Sequence, residues 1–389
     1  MNSSDEQQRT LCDQDQAVLL LTKDNVTSYM YSQEDTVVIC IIMPVILTIG
    51  LLGNGAFLIV IARVPWMRKV TSNLYLACLA VVDITLIAVA IGVRLTRFLA
   101  SPILTDDTVL GVPGCVTLYF ISDLCFFLSQ FLITLISFER YNAVCRPFTF
   151  RSKSGGGRRT RVPARRVAGC FLVGAAAASL IIPDRMIWKE TCISWYPPGS
   201  GDDSDDLPTS IGQCSSVVTW YFNFSNCIQT VPFFLTMIMN LTLYVLTARK
   251  LYIEAKRRGP FSANTEEQNR IRDQITRMLI FNGTAFFIFL APFESIALAL
   301  TIRDLSGAPP ALTANQFSLA LNICRCLVYV NSAINPFIYT LTSPAYRRAF
   351  LEAAGIVKKQ EFASHSHQDR DGLNLSDQAR SLDQDLNVH

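Results

Sequence analysis

Seven long apolar runs constrain this chain more than any other feature of its sequence. They lie at about residues 37–62, 73–93, 115–138, 167–183, 217–248, 275–302 and 312–341. A helix needs about 20 predominantly apolar residues to cross a bilayer, where no water can satisfy the backbone. The fourth run is the shortest, and its length would also suit a buried helix of a soluble protein. We expect an all-α membrane protein, a bundle of seven transmembrane helices.

The basic residues divide unequally between the two sides of such a bundle. The segments after the first, third and fifth runs and the C-terminal segment carry 26 of the 34 Lys and Arg residues, counting Arg277 at the entry to the sixth run. The N-terminal segment and the other three loops carry 7. Because basic loops stay in the cytoplasm, we expect a multi-pass plasma-membrane protein with an extracellular N-terminus and a cytoplasmic C-terminus. No basic segment precedes an apolar core near Met1, so no cleavable signal peptide is expected.

Polar residues inside the runs narrow the function, because each is costly in a membrane and usually has a use. The third run ends in Glu-Arg-Tyr at residues 139–141, which begins 24 residues after Cys115. The seventh run contains Asn-Pro-Phe-Ile-Tyr at residues 335–339. Its proline frees a backbone carbonyl, which a polar side chain or water must satisfy. Taken singly, the two motifs have ordinary explanations, interfacial charge and a helix kink.

Together, these motifs resemble those of the rhodopsin-like (class A) G-protein-coupled receptors, over about residues 37–354. The resemblance also includes Gly53-Asn54, Leu79-Ala80-x-x-Asp83, Cys115, Pro232, Phe286 and Pro292. It implies a receptor that binds an extracellular ligand and activates a heterotrimeric G protein, with arrestin and receptor kinases as further partners. Near the entry to the sixth run and the proline of the seventh, the chain is most similar to neuropeptide receptors of the thyrotropin-releasing-hormone and FMRFamide type.

The resemblance implies three groups of site residues. An activation motif is expected at Glu139, Arg140, Tyr141, Asn335, Pro336 and Tyr339. A polar cluster that can hold an allosteric sodium ion is expected at Asp83, Ser129, Asn331, Ser332 and Asn335. No other cofactor is expected. A ligand pocket is expected at Arg94, Ser122, Asp123, Gln229, Glu294, Arg325 and Tyr329. Within that pocket, Glu294 and Arg325 either face the ligand or pair with each other.

Several positions depart from the family pattern. Gln130 stands where an apolar residue usually packs, and Asn240 where a tyrosine is common, with Tyr244 one turn further on. The sixth run has Phe289-Leu290 where Cys-Trp commonly comes before the proline. These departures concern the relay from the pocket to the cytoplasmic side and leave the expected fold unchanged.

The ligand class is narrowed mainly by exclusion. An opsin needs a lysine where this chain has Tyr329, and an amine receptor needs an aspartate where it has Ser122. The extracellular segments carry 16 acidic against 7 basic residues, a surface that would attract a cationic ligand. We expect a neuropeptide. The alternatives are a receptor for a non-peptide small molecule, an amine or a lipid, and a seven-helix transporter, although no internal repeat is visible.

The remaining segments complete the predicted organisation. We expect an extracellular N-terminal segment at 1–36, the receptor domain at 37–341, a short amphipathic eighth helix at 342–356 and a disordered cytoplasmic tail at 357–389. Cys115 should form an extracellular disulfide with Cys192, with Cys214 as the alternative. Glycosylation is expected at Asn2 and Asn25.

An enzyme, a transition-metal site and a nucleic-acid partner are not expected. The three histidines lie in the C-terminal tail, so no histidine-based acid–base or metal site can form within the bundle. The 12 cysteines include no C-x-x-C pair. The net charge of +3 is too small to indicate nucleic-acid binding.

Overall fold

The computed structural model describes residues 17–22, 25–68, 70–146, 161–195, 208–257, 263–309 and 311–357. Its seven long helices are α1 (Gln33–Arg63), α2 (Thr71–Ala100), α3 (Gly111–Cys145), α4 (Arg161–Ser179), α5 (Tyr221–Arg257), α6 (Ala263–Ser306) and α7 (Ala314–Thr342). A short helix, α8 (Pro344–Ala353), follows, and three strands are present, β1 (Ala17–Leu21), β2 (Ile187–Trp195) and β3 (Ser210–Ser215). Shorter elements are single turns at Val26–Ser28, Pro65–Arg68 and Ile182–Arg185 and a π-helical stretch, Val38–Ile42, within α1. The expected glycosylation site at Asn2 and the tail beyond residue 357 lie outside the described residues.

Several helices extend beyond the apolar runs that predict them. α6 begins at Ala263, well before the apolar run that starts at about residue 275, and α1 begins at Gln33. At the start of α1, Ser32 and Asp35 form a capping box in which each side chain accepts from the other's backbone N–H. Such caps satisfy the first amides of a helix, so the helices can continue into water where hydropathy no longer marks them.

The fourth helix is the one whose membrane crossing was least clearly predicted, because its apolar run is the shortest. Among the described residues, six helices are long and apolar enough to cross a membrane, and α4 is not one of them. It has 19 residues, which at 1.5 Å per residue is roughly 28 Å, close to the thickness of a bilayer core. A side chain at Gly174 would be in ordinary contact with Leu124, Phe127 and Leu128 of α3, so α4 packs closely on α3.

The burial pattern is that of a bundle whose solvent is lipid. Apolar side chains face outward, with Leu52, Leu172 and Leu341 about 70% exposed (69%, 69% and 75%). Polar side chains face inward, and Asp83 and Asn240 are buried. In a bilayer, buried polar groups must find their partners inside the protein, so these residues mark the interior polar sites.

The loop between α4 and α5 folds into a hairpin that also binds the N-terminal segment. β2 pairs antiparallel with β3, and β1 adds in parallel to the other edge of β2, with Ala17 opposite Thr191. Leu21 anchors β1 because it is buried with isoleucines of both β2 and β3. The strand in the N-terminal segment was not predicted from the sequence.

Asn25, an expected glycosylation acceptor, lies just beyond β1. Its side-chain oxygen accepts from the Thr22 amide at 2.7 Å, and its side-chain nitrogen donates to the Leu20 carbonyl at 3.0 Å. The side chain is partly exposed. Glycosylation at Asn25 stays a prediction.

The prediction that Cys115 pairs with Cys192 is wrong. Cys115 forms its disulfide with Cys214, and the two Cα atoms are 6.0 Å apart. The reason is the orientation of the hairpin: β3 lies against the loop before α3, where the Asp107 amide donates to the Gly212 carbonyl at 2.7 Å. This contact brings Cys214 to Cys115. Cys192 is disulfide-bonded as well.

The short helix expected over residues 342–356 spans Pro344–Ala353 and is amphipathic. Tyr346 and Ala349 are buried while Arg347 and Arg348 are exposed. The Tyr346 hydroxyl donates to the Asn73 side-chain oxygen of α2 at 2.5 Å. This bond and the burial of one face attach α8 to the bundle at the N-terminal end of α2.

Candidate ligand pocket and cytoplasmic activation site

A cavity of about 630 Å³ opens at the end of the bundle where the hairpin lies. Side chains from α2, α3, α5, α6 and α7 line it, together with Arg185 and β3. Six of the seven predicted pocket residues are among them: Arg94, Ser122, Asp123, Gln229, Arg325 and Tyr329. The volume is in the range of a small-molecule or peptide-end binding site.

Glu294, the seventh predicted residue, lies behind the cavity wall. Its side chain is fully buried, and its carboxylate accepts from the side-chain nitrogen of Gln229 at 2.9 Å. Gln229 lines the cavity, so a ligand meets the amide first and the carboxylate only if that amide moves. The prediction that Glu294 faces the cavity is therefore wrong for this conformation.

Arg325 projects into the cavity without an acidic partner. Within the described part of the chain, no carboxylate oxygen lies within 4.0 Å of its guanidinium, so the alternative of a Glu294–Arg325 ion pair is not realised. Arg325 instead donates to the Asn322 side-chain oxygen at 3.2 Å. Asn322 in turn donates to Asp35 at 2.5 Å, and this bond fixes which end of the Asn322 amide faces Arg325.

The second arginine near the outer end of α2 has a structural role. Arg97 pairs with Asp107 at 3.0 Å, and it donates to the backbone carbonyls of Leu104 and Asp106 at 2.7 and 3.0 Å. These bonds fix the loop between α2 and α3. Arg94 and Arg325 are therefore the cavity-lining arginines of the bundle for which the structure records no carboxylate partner within the described residues.

Tyr119 and Arg185 are among the cavity residues that sequence reasoning missed. The Arg185 guanidinium lies 4.2 Å from the centre of the Tyr119 ring, a cation–π distance. Tyr119 lies four residues before Asp123 on α3, so helical periodicity could have found it. Arg185 lies in a loop whose path depends on tertiary packing, and no local signal placed it at the cavity.

Near the C-terminal end of α3, Glu139 and Arg140 form an ion pair. Their closest nitrogen and oxygen are 3.7 Å apart, and the two side chains are 1% and 12% exposed, respectively. Tyr141, the third residue of the motif, is partly exposed. The arginine is thus covered by the bundle and held beside an acid of its own helix.

The proline of α7 leaves a gap in the backbone hydrogen bonds that α1 fills. Pro336 has no N–H, so it cannot donate to the carbonyl of Ser332, four residues earlier. The side-chain nitrogen of Asn54 donates to that carbonyl at 2.9 Å. The sequence expectation of a freed carbonyl with a polar partner is confirmed. Tyr339, one turn beyond the proline, is buried and packs against Phe57 with ring centres 5.1 Å apart.

A polar cluster lies between the cavity and this proline. The Asn335 side-chain nitrogen donates to Asp83 at 2.7 Å, and Asp83 is buried. Three of the predicted cluster members have a buried oxygen without a hydrogen-bond partner within the described residues, namely Asp83 (Oδ1), Ser129 (Oγ) and Asn331 (Oδ1). A carboxylate together with neutral oxygens suits a hard cation such as sodium, so this donor set fits the ion implied by the sequence. Ser332, the fifth predicted member, is buried and contributes the carbonyl described above.

The model of the 7 transmembrane receptor (rhodopsin family) matches residues 53–339. This chain belongs to that family. As a family member it is a multi-pass signalling receptor of the cell membrane and not an enzyme.

Individual relatives are similar over most of the receptor's length. The thyrotropin-releasing hormone receptor of Gallus gallus is 26% identical over 381 residues, covering 90% of this chain and 83% of the relative. The neuromedin-U receptor 1 of Mus musculus is 28% identical over 353 residues, covering 85% and 77%. The galanin receptor 2a of Danio rerio is 23% identical over 338 residues, covering 86% and 82%.

Proposed function

We propose that this receptor binds a peptide at its extracellular cavity and, in response, activates a heterotrimeric G protein. The relatives are named as receptors for thyrotropin-releasing hormone, neuromedin-U and galanin. The observation that carries the proposal is the cavity itself, with Arg325 exposed to it and unneutralised by any described carboxylate. A buried cation without an acidic partner is costly, and a ligand that supplies carbonyl or carboxylate oxygens removes that cost.

A peptide suits both the mouth and the floor of the site. The acidic extracellular segments attract basic side chains, while Arg94 and Arg325 suit the oxygen-rich end or backbone of a peptide. On α3 and α5, Asp123 and the side-chain oxygen of Gln229 offer acceptors, and Glu294 of α6 binds the Gln229 amide nitrogen behind the cavity wall. The site thus has two chemically different sides, as a ligand carrying both charged and amide groups requires.

On the cytoplasmic side, Arg140 is the group that we expect to reach the G protein. At rest it is held by Glu139 and covered by the bundle. Ligand binding must therefore favour a conformation in which these helices separate, because a ligand can shift the equilibrium only by binding one state more tightly. Tyr339 beside the α7 proline is expected to move into the space that opens.

The polar cluster is proposed to hold a sodium ion in the resting state. The carboxylate of Asp83 supplies charge, and Ser129 and Asn331 supply neutral oxygens. Sodium should raise the thermal stability of the receptor relative to potassium at equal ionic strength, and Asp83→Asn should remove the difference. Equal stability in both salts would exclude the ion.

The proposed topology places β1 and the disulfide-bonded hairpin outside, where cysteines oxidise, and α8 inside. The C-terminal tail is then available to receptor kinases and arrestin, and Asn2 and Asn25 to glycosylation. Protease protection of sealed, right-side-out vesicles tests the orientation. A cytoplasmic tail should be cleaved only after the vesicles are lysed, and cleavage of the tail in intact vesicles would contradict the proposed topology.

The experiment that tests the function is a screen of a neuropeptide library against cells expressing the receptor, with G-protein activation as the readout. We expect at least one peptide to activate the receptor, and Arg325→Met to weaken that response while leaving surface expression unchanged. A response to an amine or a lipid and to no peptide would overturn the peptide assignment. Substrate uptake without G-protein activation would favour a transporter instead.

A further inference from the structure

A polar seam joins α3 to α5 in the cytoplasmic half of the bundle. Its three hydrogen-bonded pairs are Gln130–Thr236 at 2.6 Å, Thr134–Asn240 at 2.8 Å and Ser137–Tyr244 at 2.8 Å. Successive members are three or four residues apart on each helix, which is one helical turn. Two members of the seam, Gln130 and Asn240, are positions at which this sequence departs from the family pattern.

The Ser137–Tyr244 pair also involves α6. A Cβ atom built on Gly283 would overlap the Tyr244 hydroxyl oxygen and would lie 2.6 Å from Cζ of its ring, closer than side chains can approach without a shift. Tyr244 fits against α6 because residue 283 has no side chain. The hydroxyl end of the buried tyrosine thus contacts α6, and the same hydroxyl bonds to Ser137 on α3.

This junction lies beside the covered arginine. Ser137 is three residues, about one turn, before Arg140 on α3. The Arg140 side chain is only 12% exposed, so a G protein can reach it only after the helices around it separate. The Ser137–Tyr244 hydrogen bond joins α3 to α5 at this level, and Tyr244 also packs against Gly283 of α6. These contacts oppose that separation.

We propose that the Tyr244 hydroxyl is a positioning group that holds α5 and α6 against α3 and keeps Arg140 covered while no ligand is bound. The proposal rests on the proposed role of Arg140 in G-protein activation. The alternative is that Tyr244 only fills space, in which case its ring matters and its hydroxyl does not.

The test compares Tyr244→Phe, Ser137→Ala and the double variant in ligand-independent nucleotide exchange on a purified heterotrimeric G protein. Each single change should raise exchange about threefold, the equivalent of an average side-chain hydrogen bond within a membrane. The double variant should exceed the single ones little, because both remove the same bond. Unchanged exchange, or effects that multiply, would overturn the proposal.

A matched control is Tyr252→Phe, because Tyr252 lies on the same helix and is 72% exposed. It should leave exchange unchanged. A second variant, Gly283→Ala, forces the new methyl group into the Tyr244 hydroxyl and the adjoining ring carbon and should also raise exchange. In a Tyr244→Ala background the methyl group has space, so the same substitution should have little further effect.

Spin-label distances test the positioning role of Tyr244 without relying on G-protein activation, so failure of this proposal can be distinguished from failure of the proposed function. Labels at the exposed positions Phe138 of α3 and Arg277 of α6 report the separation of these helices without any G protein. Tyr244→Phe should increase the population with the longer distance. An unchanged distance distribution would refute the positioning role even if the receptor coupled to none of the G proteins tried.

Discussion

The contact between Asn54 and the backbone of α7 yields a quantitative prediction. Asn54 is 1% exposed and donates to the Ser332 carbonyl that Pro336 leaves without an amide partner. Asn54→Ala removes the donor and leaves that carbonyl unpaired. An unsatisfied buried polar group costs about 1–3 kcal/mol, whereas hydrogen bonds between membrane helices average about 0.6 kcal/mol because the unfolded chain in the membrane finds other partners. We expect a loss of about 1–2 kcal/mol.

The assay is the free energy of unfolding of the purified receptor in detergent, measured for a double-mutant cycle. Pro336→Ala restores an N–H that can donate to the Ser332 carbonyl, so Asn54→Ala should cost markedly less in that background. Asn142→Ala is the matched control, because the Asn142 side chain donates only within its own helix, to Phe138, among the recorded bonds. A cost for Asn54→Ala that equals the control, or that is unchanged by Pro336→Ala, would refute the reasoning.

Three further predictions follow from the same geometry. Peptide mapping of the unreduced receptor should recover Cys115 linked to Cys214. Arg325→Met should lower the potency of an activating peptide at least about tenfold, or 1.4 kcal/mol. It should not lower thermal stability, because Arg325 forms no ion pair with a carboxylate of the described residues that the substitution would break. Tyr346→Phe should lower the free energy of unfolding by about 0.5–1.5 kcal/mol, the net worth of one hydrogen bond, because it loses the bond to Asn73 and keeps the ring.

Each of these predictions has a distinguishing outcome. A linked Cys115–Cys192 peptide would contradict the hairpin orientation. A large loss of thermal stability in Arg325→Met would indicate that the arginine supports the fold and not the ligand. Tyr252→Phe, on an exposed tyrosine, calibrates Tyr346→Phe, and equal effects of the two substitutions would show that the α8 hydrogen bond contributes nothing measurable.

Sequence predicted the features that the bilayer itself imposes. Apolar length located the helices, and the cost of intramembrane polar groups pointed to Asp83, Asn335 and Arg140, which the structure places in the polar cluster and the covered ion pair. The carbonyl freed by Pro336 was predicted as well, because the rule depends only on the missing proline amide. Its partner, Asn54, is remote in sequence and was identified as a motif residue but not as that donor.

The features that sequence missed depend on tertiary geometry. Whether Cys192 or Cys214 meets Cys115 is decided by which strand of the hairpin faces the loop before α3, and both cysteines suit the spacing. Glu294 was expected in the cavity, but the Gln229 side chain, which lines the cavity, binds its carboxylate and lies in front of it. β1 was missed because its partner strand lies about 170 residues away in sequence.

The departures from the family pattern show the same limit from another side. In the sequence, Gln130 and Asn240 each differ from the residue type that is usual in the family. Taken separately, they indicate only that the contacts between the pocket and the cytoplasmic side differ from the family pattern. In the structure each of them bonds to a threonine of the other helix: Gln130 of α3 to Thr236 of α5, and Asn240 of α5 to Thr134 of α3. No pattern in a single sequence indicates which of many threonines will face a buried amide.

The most direct test of the central claim is nucleotide exchange by the purified receptor in lipid nanodiscs, with purified heterotrimeric G protein and the peptides that activate it in cells. The account predicts exchange that rises with peptide and is lost in Arg140→Ala, while peptide binding persists. Peptide-stimulated exchange that survives in Arg140→Ala would contradict the assignment of this buried arginine as the group that meets the G protein.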